Sequence, residues 1–231
     1  MKALALCRDI TVSGFRTFAE NPWRSMGVVL LFLLCFFAAN QIVRFAAQSL
    51  SGVPVAGSLL FGLLSAAITG YLMAGLLLFH LSILSNTRGE IRQLFQAGPY
   101  LLRILGLQLL SSAAFILFLA PALIAVANFP QDRWPMVLLY TSLIPAIWFT
   151  IRNSLSVLIL LHENTGILSA IIRSFAYSKN RVWLLVLNFF ILVIVYLSGF
   201  LLLGVGVLAT ASISMSMYCQ LYASCASETA T

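Results

Sequence analysis

VWLLVLNFFILVIVYLSGFLLLGVGVLATASISMSMYCQLYASCAS, residues 182–227, contains no Asp, Glu, Lys or Arg. As one helix it would run to roughly 69 Å at 1.5 Å per residue, more than twice the ~30 Å of bilayer hydrocarbon, so it must fold back on itself. Gly199, Gly204 and Gly206 cluster where that reversal is needed. Two spans follow, about 182–201 and about 205–224.

The same reasoning works outward along the chain. Ser25–Val43, Phe45–Thr87, Ile104–Gln131 and Trp134–Ile151 are also free of charge. They predict spans at about 26–48, 57–83, 102–127 and 135–162. Pro54, Pro121, Pro130 and Pro135 fall at or near predicted ends, whereas Pro145 lies inside the fourth span and predicts a kink there. The expected fold class is all-α: one polytopic membrane domain over 1–231 with six transmembrane helices. Composition agrees. The 231 residues are 61% hydrophobic and 8% charged, with 13 Lys+Arg, 6 Asp+Glu and a mean hydropathy of +1.04. A soluble domain carries about 25% charged residues, so this chain cannot cover a globular surface with polar side chains.

Basic residues set the orientation. Lys2, Arg8, Arg16 and Arg24 precede the first span, Arg88, Arg92 and Arg103 follow the second, and Arg173, Lys179 and Arg181 follow the fourth. The other side has only Arg44 and Arg133, so both termini are expected in the cytoplasm. The positive-inside bias accounts for a pI of about 9.6 without a nucleic-acid partner. Trp23, Trp134 and Trp183 stand at predicted interfaces. A cleaved leader is not expected, because about twenty apolar residues follow a long basic start, where a leader has 7–15 after a short one.

Phe15-Arg16-Thr17-Phe18-Ala19 recurs as Ile172-Arg173-Ser174-Phe175-Ala176, with Arg24 and Arg181 at the same offset, and more faintly as Ile91-Arg92-Gln93-Leu94. Asn86-Thr87-Arg88-Gly89 and Asn164-Thr165-Gly166 precede the second and third copies. Each copy is followed by two spans, so the chain reads as three units of about 77 residues, each a short amphipathic segment and a helical hairpin. The segments, about 5–20, 89–98 and 167–178, are expected to lie in the interface. In the first, Ile10, Phe15 and Phe18 share a face opposite Asp9, Arg16 and Glu20, and Ala170–Tyr177 behaves similarly. Their basic residues suit anionic lipid headgroups.

A polar group inside a span is costly and therefore a candidate for function. Arg152, with Asn153, Ser154 and Ser156, would sit about 6 Å to the cytoplasmic side of the fourth span's centre. No acidic residue lies in another span to neutralise it. Either it snorkels to the cytoplasmic headgroups, or it uses carbonyls, Asn188, Gln108, tyrosine hydroxyls, water or an anionic ligand. Glu163, eleven residues on, would be about 16 Å away, too far to pair with Arg152. It is expected to meet Arg173 or Arg181 and pin the following amphipathic segment.

Other chemistry is sparse. His80, His162 and Glu163 have no metal-ligand spacing, and Cys7, Cys35, Cys219 and Cys225 form no CxxC pair, so no metal or cofactor is expected. Gly70 and Gly75 suggest a close helix contact without a GxxxG motif. There is no Gly-rich phosphate loop, no GxSxG and no carboxylate pair, and an enzyme is not expected.

Arg152-Asn153-Ser154-Leu155-Ser156, followed by Glu163, Gly166, Ala170 and Arg173-Ser174, reads R-x-S-L…E-x-x-G-x-x-x-A-x-x-R-S. This resembles the membrane domain of bacterial glycerophosphoryl diester phosphodiesterases and related six-span inner-membrane proteins; Leu160-Leu161-His162 replaces the usual apolar-Pro pair before the acidic residue. The resemblance implies a multi-span fold and marks Arg152, Glu163, Gly166, Arg173 and Ser174, without implying phosphodiesterase activity. The expected protein is a non-enzymatic multi-pass protein of the bacterial cytoplasmic membrane, binding lipids or a membrane-protein partner in envelope homeostasis. The alternative is a carrier for a small anionic or lipid-like solute that uses Arg152. Ligand or headgroup candidates are Arg152, Asn153, Ser154, Glu163, Arg173 and Ser174.

Overall fold

A computed structural model describes residues 2–49, 54–85, 89–129, 131–201 and 204–229. Every regular element within them is helical: α1 (Lys2–Glu20), α2 (Pro22–Ser49), α3 (Pro54–Leu84), α4 (Leu101–Asn128), α5 (Trp134–Asn153), α6 (Ser156–His162), α7 (Ile167–Ser178), α8 (Val182–Leu201) and α9 (Val205–Thr229). Two 3₁₀ turns, Ile91–Phe95 and Gly98–Tyr100, precede α4. The Asn86-Thr87-Arg88 approach motif, Pro130 and the tip between α2 and α3 lie outside the described residues.

Three antiparallel hairpins, α2–α3, α4–α5 and α8–α9, pack most heavily within themselves, as the three-unit reading anticipates. Five stretches among the described residues are long and apolar enough to cross a membrane: Pro22–Ala46, Phe61–Leu84, Ile91–Asn128, Trp134–His162 and Val182–Gly199. The sixth expected span forms α9, which falls short in apolarity because it faces protein. It packs against α1, α2, α3, α7 and α8 and buries Ile213, Met217, Cys219, Leu221, Tyr222 and Cys225.

Burial concentrates at the end of the bundle that carries α1, α6 and α7. Leu155, Leu158, Ile159, Leu160 and Leu161 of the α6 region are enclosed by α3, α4, α7 and α9 residues. Along the hairpins, Phe37, Ile42, Ile116, Leu117, Ile124, Val137, Ile144 and Ile194 are exposed. So many large apolar side chains facing outward define a lipid-contacting belt, since a soluble monomer rarely exposes contiguous apolar patches above a few hundred Å². Trp23 and Trp183, at the starts of α2 and α8, are 82% and 81% exposed, as interface anchors are.

Several local expectations are corrected. Pro121 lies inside α4 and not at its end, while Pro145 lies inside α5 where the sequence places it; the fourth span is interrupted at Ser154–Leu155. The 89–98 segment is a 3₁₀ turn, because Gly89 and Gly98-Pro99 bracket too short a run for an amphipathic α-helix. On α1 the inward face is Cys7, Ile10 and Gly14 with Phe18 beside them, and Phe15 is 45% exposed. Gly14 sits directly on Met217 of α9, where any side chain would collide, which rotates Phe15 outward.

Gly75 explains how the 3₁₀ turn is held. A Cβ there would lie 2.0 Å from the Leu94 carbonyl oxygen, so only glycine lets this backbone rest on α3, with Leu94 fully buried beside it. At the α8–α9 reversal, Gly204 has φ +56°, a left-handed conformation natural to glycine. Gly75→Ala should force the turn off α3 and cost about 1–3 kcal/mol. Gly27→Ala, with nothing within 4 Å of its added Cβ, should be neutral or slightly stabilising. Denaturation midpoints of the two variants in detergent check the contrast.

Candidate functional site

The site forms where the fourth span breaks. Ser154 and Leu155 form a turn in which the backbone stays in the right-handed region, Leu155 at φ −80° and ψ −7°, and α6 begins one residue later. No proline causes this. Four hydroxyls take over the carbonyls around the interruption. Ser154 Oγ donates to Ile151 O (2.7 Å), Ser174 Oγ to Arg152 O (2.6 Å), Ser156 Oγ to Asn153 O (2.7 Å), and Tyr218 OH to Ser154 O. Serine hydroxyls that bond carbonyls three residues back bend helices, and in an apolar setting the freed carbonyls need such donors. Two of the donors come from elsewhere in the fold, Ser174 from α7 and Tyr218 from α9.

Arg152 turns toward α7. Its Nε donates to Ser178 Oγ (3.1 Å) and its Nη2 to Phe175 O (2.6 Å). The guanidinium carbon lies 4.7 Å from the centroid of Trp148 and 4.9 Å from that of Phe175, both cation–π distances. Phe175 O belongs to the last turn of α7, where unpaired carbonyls gather partial negative charge. The helix end thus serves as counter-ion in place of a carboxylate. Asn188 and Gln108, expected as partners, are not used by Arg152. Among the described residues Gln108 Oε1 and both amide atoms of Asn188 are buried without a hydrogen-bond partner.

Asn153 joins α4 to the break, with Nδ2 donating to Ser111 Oγ (2.7 Å) and Oδ1 accepting from Ser156 Oγ. Ser174 is fully buried. The expected Arg152-to-Ser174 grouping is therefore brought together, but as a structural joint.

Glu163 makes a second joint. Its carboxylate pairs with Arg173 and accepts from Tyr177 OH (3.0 Å) and Tyr222 OH (3.1 Å). The expected link to Arg173 is present, while Arg181 donates instead to Ser224 O (2.9 Å). Asn164 follows at φ 50°, a left-handed position that asparagine tolerates after a helix, and its Oδ1 accepts from Arg103 Nη1 (2.7 Å). Tyr218 and Tyr222 are not marked by any motif in the sequence. Their four-residue spacing on α9 was a visible signal, but nothing in it told which face of α9 meets the break.

Among the described residues no three His, Cys, Asp or Glu side chains converge to hold a metal. The arrangement can clamp α7 against the bundle through Arg152 and Glu163. An apolar belt, broken and paired helices, and a clamped amphipathic helix together define a polytopic α-helical membrane protein. No family model, curated protein or solved structure matches the chain.

Arg152→Ala should cost about 2–4 kcal/mol, because it removes two charge-assisted hydrogen bonds and leaves Phe175 O with the Ser178 hydroxyl alone. Arg152→Lys should recover less than half, since an ammonium cannot spread two donors and stack between rings. Hydrogen exchange in Ile167–Ser178 should rise in both variants, and more in Arg152→Ala, with exchange in α8 unchanged.

Proposed function

We propose that the chain is a non-enzymatic multi-pass protein of the bacterial cytoplasmic membrane, with both termini cytoplasmic, which binds anionic lipid headgroups with its α1 and α7 rim and presents that rim to a membrane-protein partner in envelope homeostasis. The residue pattern read as R-x-S-L…E…R-S, and its likeness to the membrane domain of glycerophosphoryl diester phosphodiesterases, supports this setting.

The observation that carries the reading is the outer face of the two short helices. On α1, Leu4, Val12 and Phe15 are exposed alongside Arg8 and Arg16; on α7, Leu168 and Ile172 are exposed alongside Arg173, with Lys179 at the end of that helix. Apolar side chains interleaved with arginines suit the acyl–headgroup boundary. Arg8 pairs with Asp9 and Arg16 with Glu20, but both pairs are open to solvent, and such pairs contribute little and leave the guanidinium accessible to phosphate. The carrier alternative gains less support. It requires Arg152 in a polar cavity, whereas Arg152 is occupied by α7 and absent from the walls of the apolar cavity described below.

In nanodiscs, the protein should retain phosphatidylglycerol over phosphatidylcholine, measured by native mass spectrometry of the co-purified lipid. Replacing Arg8, Arg16 and Lys179 by Gln should weaken the preference by about 1 kcal/mol per residue. Equal retention of the two lipids by the unaltered protein would overturn the reading. A reporter fused after Ser51 should be active only on the outer side of the membrane.

A further inference from the structure

Between the α4–α5 and α8–α9 hairpins lies a cavity of about 560 Å³, within the usual ligand-pocket range of about 300–1,000 Å³. Its wall is apolar almost throughout and, among the described residues, carries no charged one; Phe115, Leu185, Phe189 and Leu221 are typical of it. Ile147, Phe189 and Phe190 line it yet are 52%, 61% and 59% exposed, so the cavity opens sideways through the apolar belt. Water has little to hold it in such a place, and the lateral mouth points to an occupant drawn from the bilayer.

One polar group in the wall is unexplained. Asn188 is fully buried, and neither its Nδ2 nor its Oδ1 has a partner. An unpaired buried amide costs about 1–3 kcal/mol, and nothing else in the cavity relieves it. The hydroxyl protons of Thr150, Ser154 and Tyr218 are already given to the carbonyls of Ala146, Ile151 and Ser154. Asn188 therefore supplies the free donor of the wall, and the matching ligand is neutral, chain-like and ends in a carbonyl acceptor. Asn188 stands five residues beyond Trp183, about 7.5 Å deeper along α8, below the level of lipid phosphates.

We propose that this cavity binds the acyl chain of a bilayer phospholipid, with the ester carbonyl accepting a hydrogen bond from Asn188 Nδ2. The inference rests on the reading of the chain as a lipid-binding membrane protein, but it uses a different surface and does not need an anionic headgroup.

The test uses the full chain in phosphatidylcholine nanodiscs, which takes headgroup charge out of the measurement. A trace phosphatidylcholine carries a diazirine on one chain, in ester-linked or ether-linked form, and cross-links are mapped by peptide mass spectrometry. The ester probe should label residues 147–154 and 185–192 at least fivefold more than the exposed belt around Phe37 and Ile124. The ether probe, lacking the carbonyl, should label the cavity 3- to 10-fold less, the value of one hydrogen bond. Asn188→Leu should erase the difference between probes, and Val186→Trp, which fills the cavity, should abolish the labelling of both. Equal cavity labelling by ester and ether probes in the unaltered protein overturns the proposal, as does labelling no stronger than that of the belt. Neither result touches the headgroup preference, which is read separately with phosphatidylglycerol and the rim variants.

Discussion

Backbone carbonyls without water decide how this protein is built. Breaking a helix inside a membrane protein exposes main-chain groups that lipid cannot bond, each at a cost of about 1–3 kcal/mol. The interruption after Asn153 is tolerable because Ser154, Ser156, Ser174 and Tyr218 each supply a hydroxyl to one of four successive carbonyls. Two of those hydroxyls are carried by α7 and α9. Satisfying the break therefore fixes where α7 and α9 lie relative to α5, and the short buried α6 becomes the piece around which the packed end of the bundle closes.

The same joint accommodates a cation that has no anion. A guanidinium is planar, delocalised and weakly hydrated, so it can accept a helix C-terminus and two ring faces as its surroundings where an ammonium could not. Arg152 and α7 depend on one another: the arginine is stabilised by the helix end, and the helix end by the arginine. Glu163 repeats the arrangement with opposite sign, a carboxylate held by Arg173, Tyr177 and Tyr222. The Glu163–Arg173 pair is half open to solvent on its arginine side, so its contribution is small and mainly orients α7.

Much of this architecture was legible in the sequence because it follows from lengths. Charge-free runs give the hairpins, and the lone arginine and the glutamate eleven residues later identify the two residues that hold α7. That Glu163 meets Arg173 or Arg181 was legible for the same reason, since a short connection leaves few basic residues within reach, and the pair formed is with Arg173. The break at Ser154–Leu155 was not. Proline announces a helix defect through its own ring, and Pro145 drew the expectation of a kink, whereas a serine breaks a helix only if distant hydroxyls arrive to accept the consequences. Ser174 and Tyr218 lie 20 and 64 residues from Ser154 along the chain, beyond anything periodicity reports. The 3₁₀ turn on α3 was hidden likewise, because what fixes it is the missing side chain of Gly75 opposite Leu94.

The least apolar of the hairpin helices is also the most enclosed, and the two properties have one cause. Hydropathy measures the demand of a helix surface facing lipid, and α9 has little such surface. Its buried Thr210, Ser212 and Ser216 are small and hydroxylated, which allows close approach by neighbouring helices while the hydroxyls bond within the helix, Thr210 to Gly206 O and Ser212 to Leu208 O. Gly14 of α1 and Gly199 of α8 meet it at matching points, Met217 and Thr210. By apolarity α9 ranks below the other hairpin helices, yet α1, α2, α3, α7 and α8 all pack against it. In a bundle of this kind a drop in hydropathy within a charge-free run marks the axis on which the other helices pack.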